Sequence, residues 1–138
     1  MIRFMNNLEI RMLNTNVVIN MEMDECLEVI FVEKGLYKVG YQINNQQFFK
    51  RRFGMFTSIG GFQACYDKRY DFIYKTITDL KGIAIRKTSL KLILEDFPDF
   101  KIQMKNKFWT HYSQEVYQPL KKCKNIDMLD FNYREDFK

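Results

Sequence analysis

The spacing of apolar residues changes once along this chain, near residue 87, and that change limits the folds open to it. Before it come short runs rich in β-branched and aromatic residues: VVI at 17–19, LEVIFVE at 27–33, LYKVGYQI at 36–43, QQFFKRRF at 46–53, FIYKTIT at 72–78 and GIAIRK at 82–87. Each reads as a strand. In LYKVGYQI, Tyr37, Val39 and Tyr41 alternate against Leu36, Lys38 and Gly40. Gly35 breaks one pair of strands, and Asn44-Asn45 makes a hairpin turn, because asparagine tolerates positive φ. After the change, Leu90, Ile93, Leu94 and Phe97 recur at i, i+3, i+4 and i+7, one face of a helix. Thr88 or Ser89 is placed to cap it and Pro98 to stop it. A second helix is expected from about Asp99, with Phe100, Met104, Phe108 and Trp109 or Tyr112 inward, kinked or ended at Pro119. The class is therefore mainly β with C-terminal helices: an antiparallel β-roll or barrel, then two helices.

The domain limits follow from the same pattern. Residues 1–14 form a lead-in, entering as a ragged strand or a turn of helix. Residues 15–126 form one domain, with the roll at about 15–87 and the helices at about 88–126. Residues 127–138 form a loose, charged, aromatic tail. At 138 residues, 46% hydrophobic and 16% aromatic, the chain can bury one core and is too short for two ordinary domains.

Other classes find little support. The three cysteines, Cys26, Cys65 and Cys123, are scattered without CxxC spacing, which suits a reducing compartment. The single histidine, His111, has no carboxylate or cysteine at ligand spacing, so neither a metal nor a metal-dependent roll enzyme is expected. No phosphate-binding loop, GxSxG or Ser-His-Asp set occurs. The start, MIRFMNNLEIRM, lacks the apolar core of a signal peptide, and no run nears the roughly 18–20 apolar residues of a membrane helix. The expectation is a soluble, cytosolic domain. A net charge of +5 favours anionic partners. Lys50-Arg51-Arg52 lies among Phe48, Phe49 and Phe53, but alternation sends several of those rings into the core, and no nucleic-acid partner is expected. Lys121, Lys122 and Lys124 suit a helix C-terminus and are placed for weak contact with acidic lipid.

The segment IGGFQACYDKRYDFIYKT carries the chemical question. A Gly-Gly turn, a short coil and the basic pair Lys68-Arg69 are the parts of an anion site. Cys65 beside the turn reads as a small buried hydrophobe.

Taken together, IFVEKGLYKVGY, the IGGF turn, the short coil, FIYKTITDLKGIAIRK and LKLILEDFP resemble a cyclic nucleotide-binding domain. The similarity spans about residues 15–125. The chain resembles in particular the cytosolic domains of voltage-gated and cyclic nucleotide-regulated cation channels, and RYDFIYKT is similar to ciliate members. The resemblance implies a jelly-roll-like β-roll followed by hinge and lid helices. It also implies a nucleotide site read as Phe/Ile-Gly-Glu, a short helix, then Arg-x-Ala-x-Val, in which Glu holds the ribose hydroxyl and Arg the phosphate. Laid on this chain without a gap, Gly60 takes the glycine position, Gly61 that of the Glu, Tyr70 that of the Arg, Phe72 that of the Ala and Tyr74 that of the Val. Arg69 falls one residue early, on the opposite face of an extended segment.

What the resemblance implies is a non-catalytic regulatory domain with a degenerate pocket, at the cytoplasmic face of a membrane in a potassium or other cation channel. Its partner would be the membrane-embedded part of a longer, tetrameric protein. Leu90, Ile93, Leu94 and Phe97 would couple roll to lid. A ligand site, if one exists, would draw on Gly60, Gly61, Phe62, Arg69, Tyr70, Asp71 and Phe72. No cofactor is required, and cAMP or cGMP is the ligand to test. Two alternatives stand. One is a working nucleotide sensor, with Arg69 turned inward by a bulge. The other is a docking module without ligand. A further expectation is that Phe131 or Tyr133 folds back beneath the lid, with Arg134 or Glu135 meeting the roll.

Overall fold

The computed structural model describes residues 7–136, with side chains as far as residue 130. Eight strands come first: β1 (Leu8–Leu13), β2 (Val18–Asn20), β3 (Glu28–Lys34), β4 (Tyr37–Ile43), β5 (Gln46–Phe53), β6 (Ser58–Ile59), β7 (Ile73–Thr76) and β8 (Leu80–Arg86). A short helix, α1 (Gly61–Tyr66), lies between β6 and β7. After β8 come α2 (Lys87–Glu95), α3 (Pro98–His111), a π-helical segment (Tyr112–Tyr117) and α4 (Gln118–Asp136). The strands form two antiparallel four-stranded sheets, ordered β1-β8-β3-β6 and β2-β7-β4-β5. This is the mainly β architecture with C-terminal helices that the change of period implies.

On β4, alternation decides which large side chains enter the core. Tyr37, Val39, Tyr41 and Ile43 of β4 are buried, while Lys38 and Gln42 are partly exposed. Val29 and Ile30 of β3 and Ala84 and Ile85 of β8 close the core from the other sheet. Asn44 and Asn45 stand at φ 49° and 65°, the left-handed pair that a two-residue hairpin needs. The N-terminal residues are more tightly held than a lead-in. β1 pairs with β8 from Leu8↔Ile85 to Leu13↔Leu80, and Arg11 grips Glu28 of β3 with two hydrogen bonds of 3.0 and 2.8 Å.

Helix α2 follows β8 with no connecting loop. It starts at Lys87, and neither Thr88 nor Ser89 caps it. Leu90, Ile93 and Leu94 are buried, each contributing about 1.5–3 kcal/mol of apolar transfer. Phe97 departs from that stripe and is 51% exposed. The cause is geometric. α2 ends at Glu95, and Phe97, the N-cap of α3, sits in a non-helical conformation (φ −134°, ψ 75°), Pro98 disfavouring the helical region in the residue before it.

Pro119 does not end the second helix. The chain stays helical from Pro98 to Asp136, and the helix passes through the π segment just before the proline. The ring lacks an N–H for the carbonyl of Glu115 four residues earlier. Arg51 serves that carbonyl instead, its Nε donating at 3.0 Å. The tail is helical to Asp136, and Tyr41 and Lys50 of the roll both engage Asp127. The expected inward side chains of α3 are also revised. Phe100 and Trp109 are about half exposed, Met104 and Phe108 half buried, and only Tyr112, in the π segment, is fully buried. The side chains of Phe131, Tyr133, Arg134 and Glu135 lie outside the described residues.

Candidate functional site

The IGG turn leads from β6 into α1. Gly60 takes φ 89°, and a Cβ there would fall 2.5 Å from the Tyr70 hydroxyl and 2.8 Å from the Glu28 carbonyl, so only glycine fits. The Ala64 N–H bonds back to the Gly60 carbonyl at 2.9 Å, starting the helix. At Gly61 the constraint comes from the lid. A Cβ there would lie 2.4 Å from Cδ1 of Phe108 on α3. One residue on, Phe62 stacks on Tyr112 with centroids 4.2 Å apart and planes 3° from parallel. Tyr112 also donates its hydroxyl to Asp71 Oδ2 at 2.6 Å. Burial above all, then that bond to a carboxylate, holds the hydroxyl protonated well above its usual range.

The turn, α1 and the start of β7 are therefore covered by two lid aromatics in direct contact. The space that remains there is about 20 Å³, bounded by Tyr37, Ser58, Gln63, Tyr74, His111 and Val116 among others. That is room for about one water. Gln63 Nε2 is buried at this wall without a hydrogen-bond partner among the described residues.

The residues singled out from the sequence separate into two groups. Tyr70 and Phe72 are 5% and 3% exposed and point inward, as the gapless alignment implies. The Tyr70 hydroxyl reaches Cys26 Sγ at 3.7 Å, and burial, first of all, keeps it neutral. Arg69 lies outside. Its guanidinium donates to the Met23 carbonyl at 3.0 Å and to Glu25 Oε1 at 3.4 Å, and it does not line the inner space. Asp71 faces the lid. Leu90, Ile93 and Leu94 are buried on α2 and do not line the inner space. Cys65 lies toward the C-terminal end of α1, half buried, and desolvation pushes its thiol up rather than activating it. Lys50 and Arg51 are engaged with Asp127 and Glu115, and Lys124 lies 4.0 Å from Glu22. Among the described residues no helix is long and apolar enough to cross a membrane.

Phe108 and Tyr112 were visible in the sequence only as members of a helical stripe. Their pairing with Gly61 and Phe62 had one readable signal: a glycine stands where the related segment carries a glutamate, and a smaller residue admits a larger partner.

No family model and no curated protein matches this sequence. Solved structures do match the fold. A Ruegeria pomeroyi protein assigned to cyclic nucleotide binding superposes with a TM-score of 0.63 at 13% identity, over 80% of this chain and 50% of that one. The regulatory domain of Toxoplasma gondii PKA, crystallised with cAMP, gives 0.60 at 11% identity, over 65% and 34%. A cAMP-binding acyltransferase from Mycobacterium smegmatis gives 0.57 at 14%, over 64% and 28%. The chain has the fold of a cyclic nucleotide-binding domain: a β-roll with C-terminal helices. It spans between about a quarter and a half of the length of these structures.

Proposed function

We propose that this chain is a non-catalytic regulatory domain of the cyclic nucleotide-binding type whose roll interior holds no nucleotide. Its own lid fills that space. The observation that carries this reading is the seat of Phe108 on Gly61, next to the Phe62–Tyr112 stack. A cyclic nucleotide entering there would have to displace both aromatics. It would find Tyr70 where the related domains present an arginine, and an unpaired buried phosphate is costly.

The setting in a potassium or other cation channel rests on the likeness of IFVEKGLYKVGY and RYDFIYKT to channel domains. In that setting the lid helices have more than one packing on the roll, and a bias between packings reaches the attached pore. Leu90, Ile93 and Leu94 carry that coupling, because α2 joins the roll to the lid.

Calorimetric titration of residues 1–138 with cAMP and then cGMP tests the filled interior. The expected result is no saturable heat and no rise in melting temperature. A true ligand at a hundredfold excess over Kd would add roughly 2.7 kcal/mol. Saturable binding that displaces Tyr112 from Phe62 would instead establish a nucleotide sensor. The channel setting predicts that the transcript encoding this chain also encodes apolar spanning segments joined to it.

A further inference from the structure

An open sheet has two edges, and each edge carries unpaired backbone groups on which another strand can add. Three of the four edges in this roll are blunted. β6 and β2 are only two and three residues long. β5 is bulged opposite Val39 and Gly40, and it is tied to the lid by the Arg51–Glu115 and Lys50–Asp127 ion pairs. The fourth edge, β1, has six residues, no proline and an unbroken register with β8. Among the described residues no strand pairs with its other side.

The two faces of β1 differ. Ile10 and Met12 point to one face and are 67% and 76% exposed. Ile10 ends an apolar row across the sheet, in which it stands opposite Ile83 and Ile83 opposite Phe31. Glu9 and Arg11 point to the other face, 2.9 Å from one another, and Arg11 also holds Glu28. Charges on an edge usually repel a second copy. These two are opposite in sign and flank Ile10, so what they do depends on register. An antiparallel pairing centred on Ile10 sets Ile10 against its own copy, Leu8 against Met12, and each Glu9 against the Arg11 of the other copy. Four charges then alternate in sign about the two-fold axis, and the pairs within each strand persist. Centring on Glu9 or on Arg11 would set like charges face to face. A slip of one residue would set Ile10 against a charge and mix the two faces. One register satisfies both faces.

We propose that two copies of this chain associate edge to edge through β1, in the register centred on Ile10, joining their four-stranded sheets into one of eight strands. The apolar row of Phe31, Ile83 and Ile10 then continues into the second copy without a break. Backbone hydrogen bonds and the contacts of Leu8, Ile10 and Met12 supply the affinity. The exposed charges set the register and add little to it. No residue of β1 lines the space beneath the lid, so this pairing stands or falls separately from the filled-interior reading.

Residues 8–12 of each copy make a small interface of the weak class, so sedimentation equilibrium of residues 1–138 is measured from about 5 to about 500 μM. The average mass is expected to rise with concentration toward twice that of the chain. Ile10→Lys and Ile10→Glu each place like charges on the two-fold axis, and Glu9→Lys sets a cation against Arg11. Each should weaken association by about tenfold or more. An equimolar mixture of Ile10→Lys and Ile10→Glu should restore it, because only the register centred on Ile10 sets these two positions against each other. All three substitutions fall on exposed side chains, and melting temperatures confirm that the variants fold. A single-chain mass across the whole range overturns the proposal. So does a dimer that is equally tight in the lysine variants, or a mixture that associates no better than its components.

Discussion

Arg51 of β5 holds Glu115 twice, its Nε donating to the backbone carbonyl at 3.0 Å and its Nη2 to Oε2 at 2.7 Å. Glu115 stands four residues before Pro119, so one side chain of the roll satisfies a lid carbonyl that the proline cannot. Both partners are more than a third exposed, and the ion pair by itself adds little. The carbonyl bond supplies most of the effect. Arg51→Ala is expected to lower stability by about 1 kcal/mol. The same substitution in a Pro119→Ala background should cost measurably less, because an N–H is then available within the helix. A double-mutant cycle by urea denaturation checks this; equal costs in the two backgrounds would refute the link.

Gly61→Ala places a methyl against the Phe108 ring. The ring must swing away, at an expected cost of about 1–3 kcal/mol. Phe108→Ala removes the obstacle, so the double variant should lose less than the sum of the two singles. Thermal melts of the three proteins decide it.

Tyr112 does two jobs that substitution separates. Tyr112→Phe keeps the stack on Phe62 and loses the bond to Asp71, an expected loss of about 1–2 kcal/mol. Tyr112→Ala loses the buried ring as well, an expected 3–5 kcal/mol. Chemical denaturation of both variants should rank them in that order.

His111 packs edge-on against Phe53 at 5.6 Å, and desolvation, assisted by Arg51 and opposed by Glu115, lowers its pKa below the ordinary 6.5. The unfolded chain therefore takes up a proton at a higher pH than the native one. Stability is expected to fall as pH drops below about 6.5 and to level off once the native imidazole is protonated too. His111→Phe should flatten this part of the profile. Urea midpoints measured between pH 7.5 and 5 test the sign.

Local chemistry was readable from the sequence where it is dictated by single residues. Asn44-Asn45 and the Gly60 corner follow from φ preference, and the inward set Tyr70, Phe72 and Tyr74 follows from the family segment laid on the chain without a gap. What could not be read depends on partners distant along the chain. Trp109 sits on a plausible inward stripe, yet Phe108 and Tyr112 take the interior because Gly61 and Phe62 accept them. Pro119 reads as a stop, and only Arg51, more than sixty residues earlier, shows why the helix continues. Phe97 belongs to the i+7 pattern, but Pro98 fixes its backbone outside the helix. The edge position of Leu8–Leu13 is a long-range pairing with β8 that no local signal announces.

The unbroken helical run from Pro98 to Asp136 has a mechanical meaning. Thirty-odd residues at about 1.5 Å each make a rod of roughly 55 Å, longer than the roll is wide. It bears on the roll at Gly61 and is held again at Asp127. A rod supported at two points acts as a lever. With the Asp127 contact released, rocking of about 5° at the Phe108 fulcrum would carry the end of the helix, about 40 Å away at Asp136, through roughly 3–4 Å. A displacement too small to open the aromatic seat would therefore be amplified at the helix's far end.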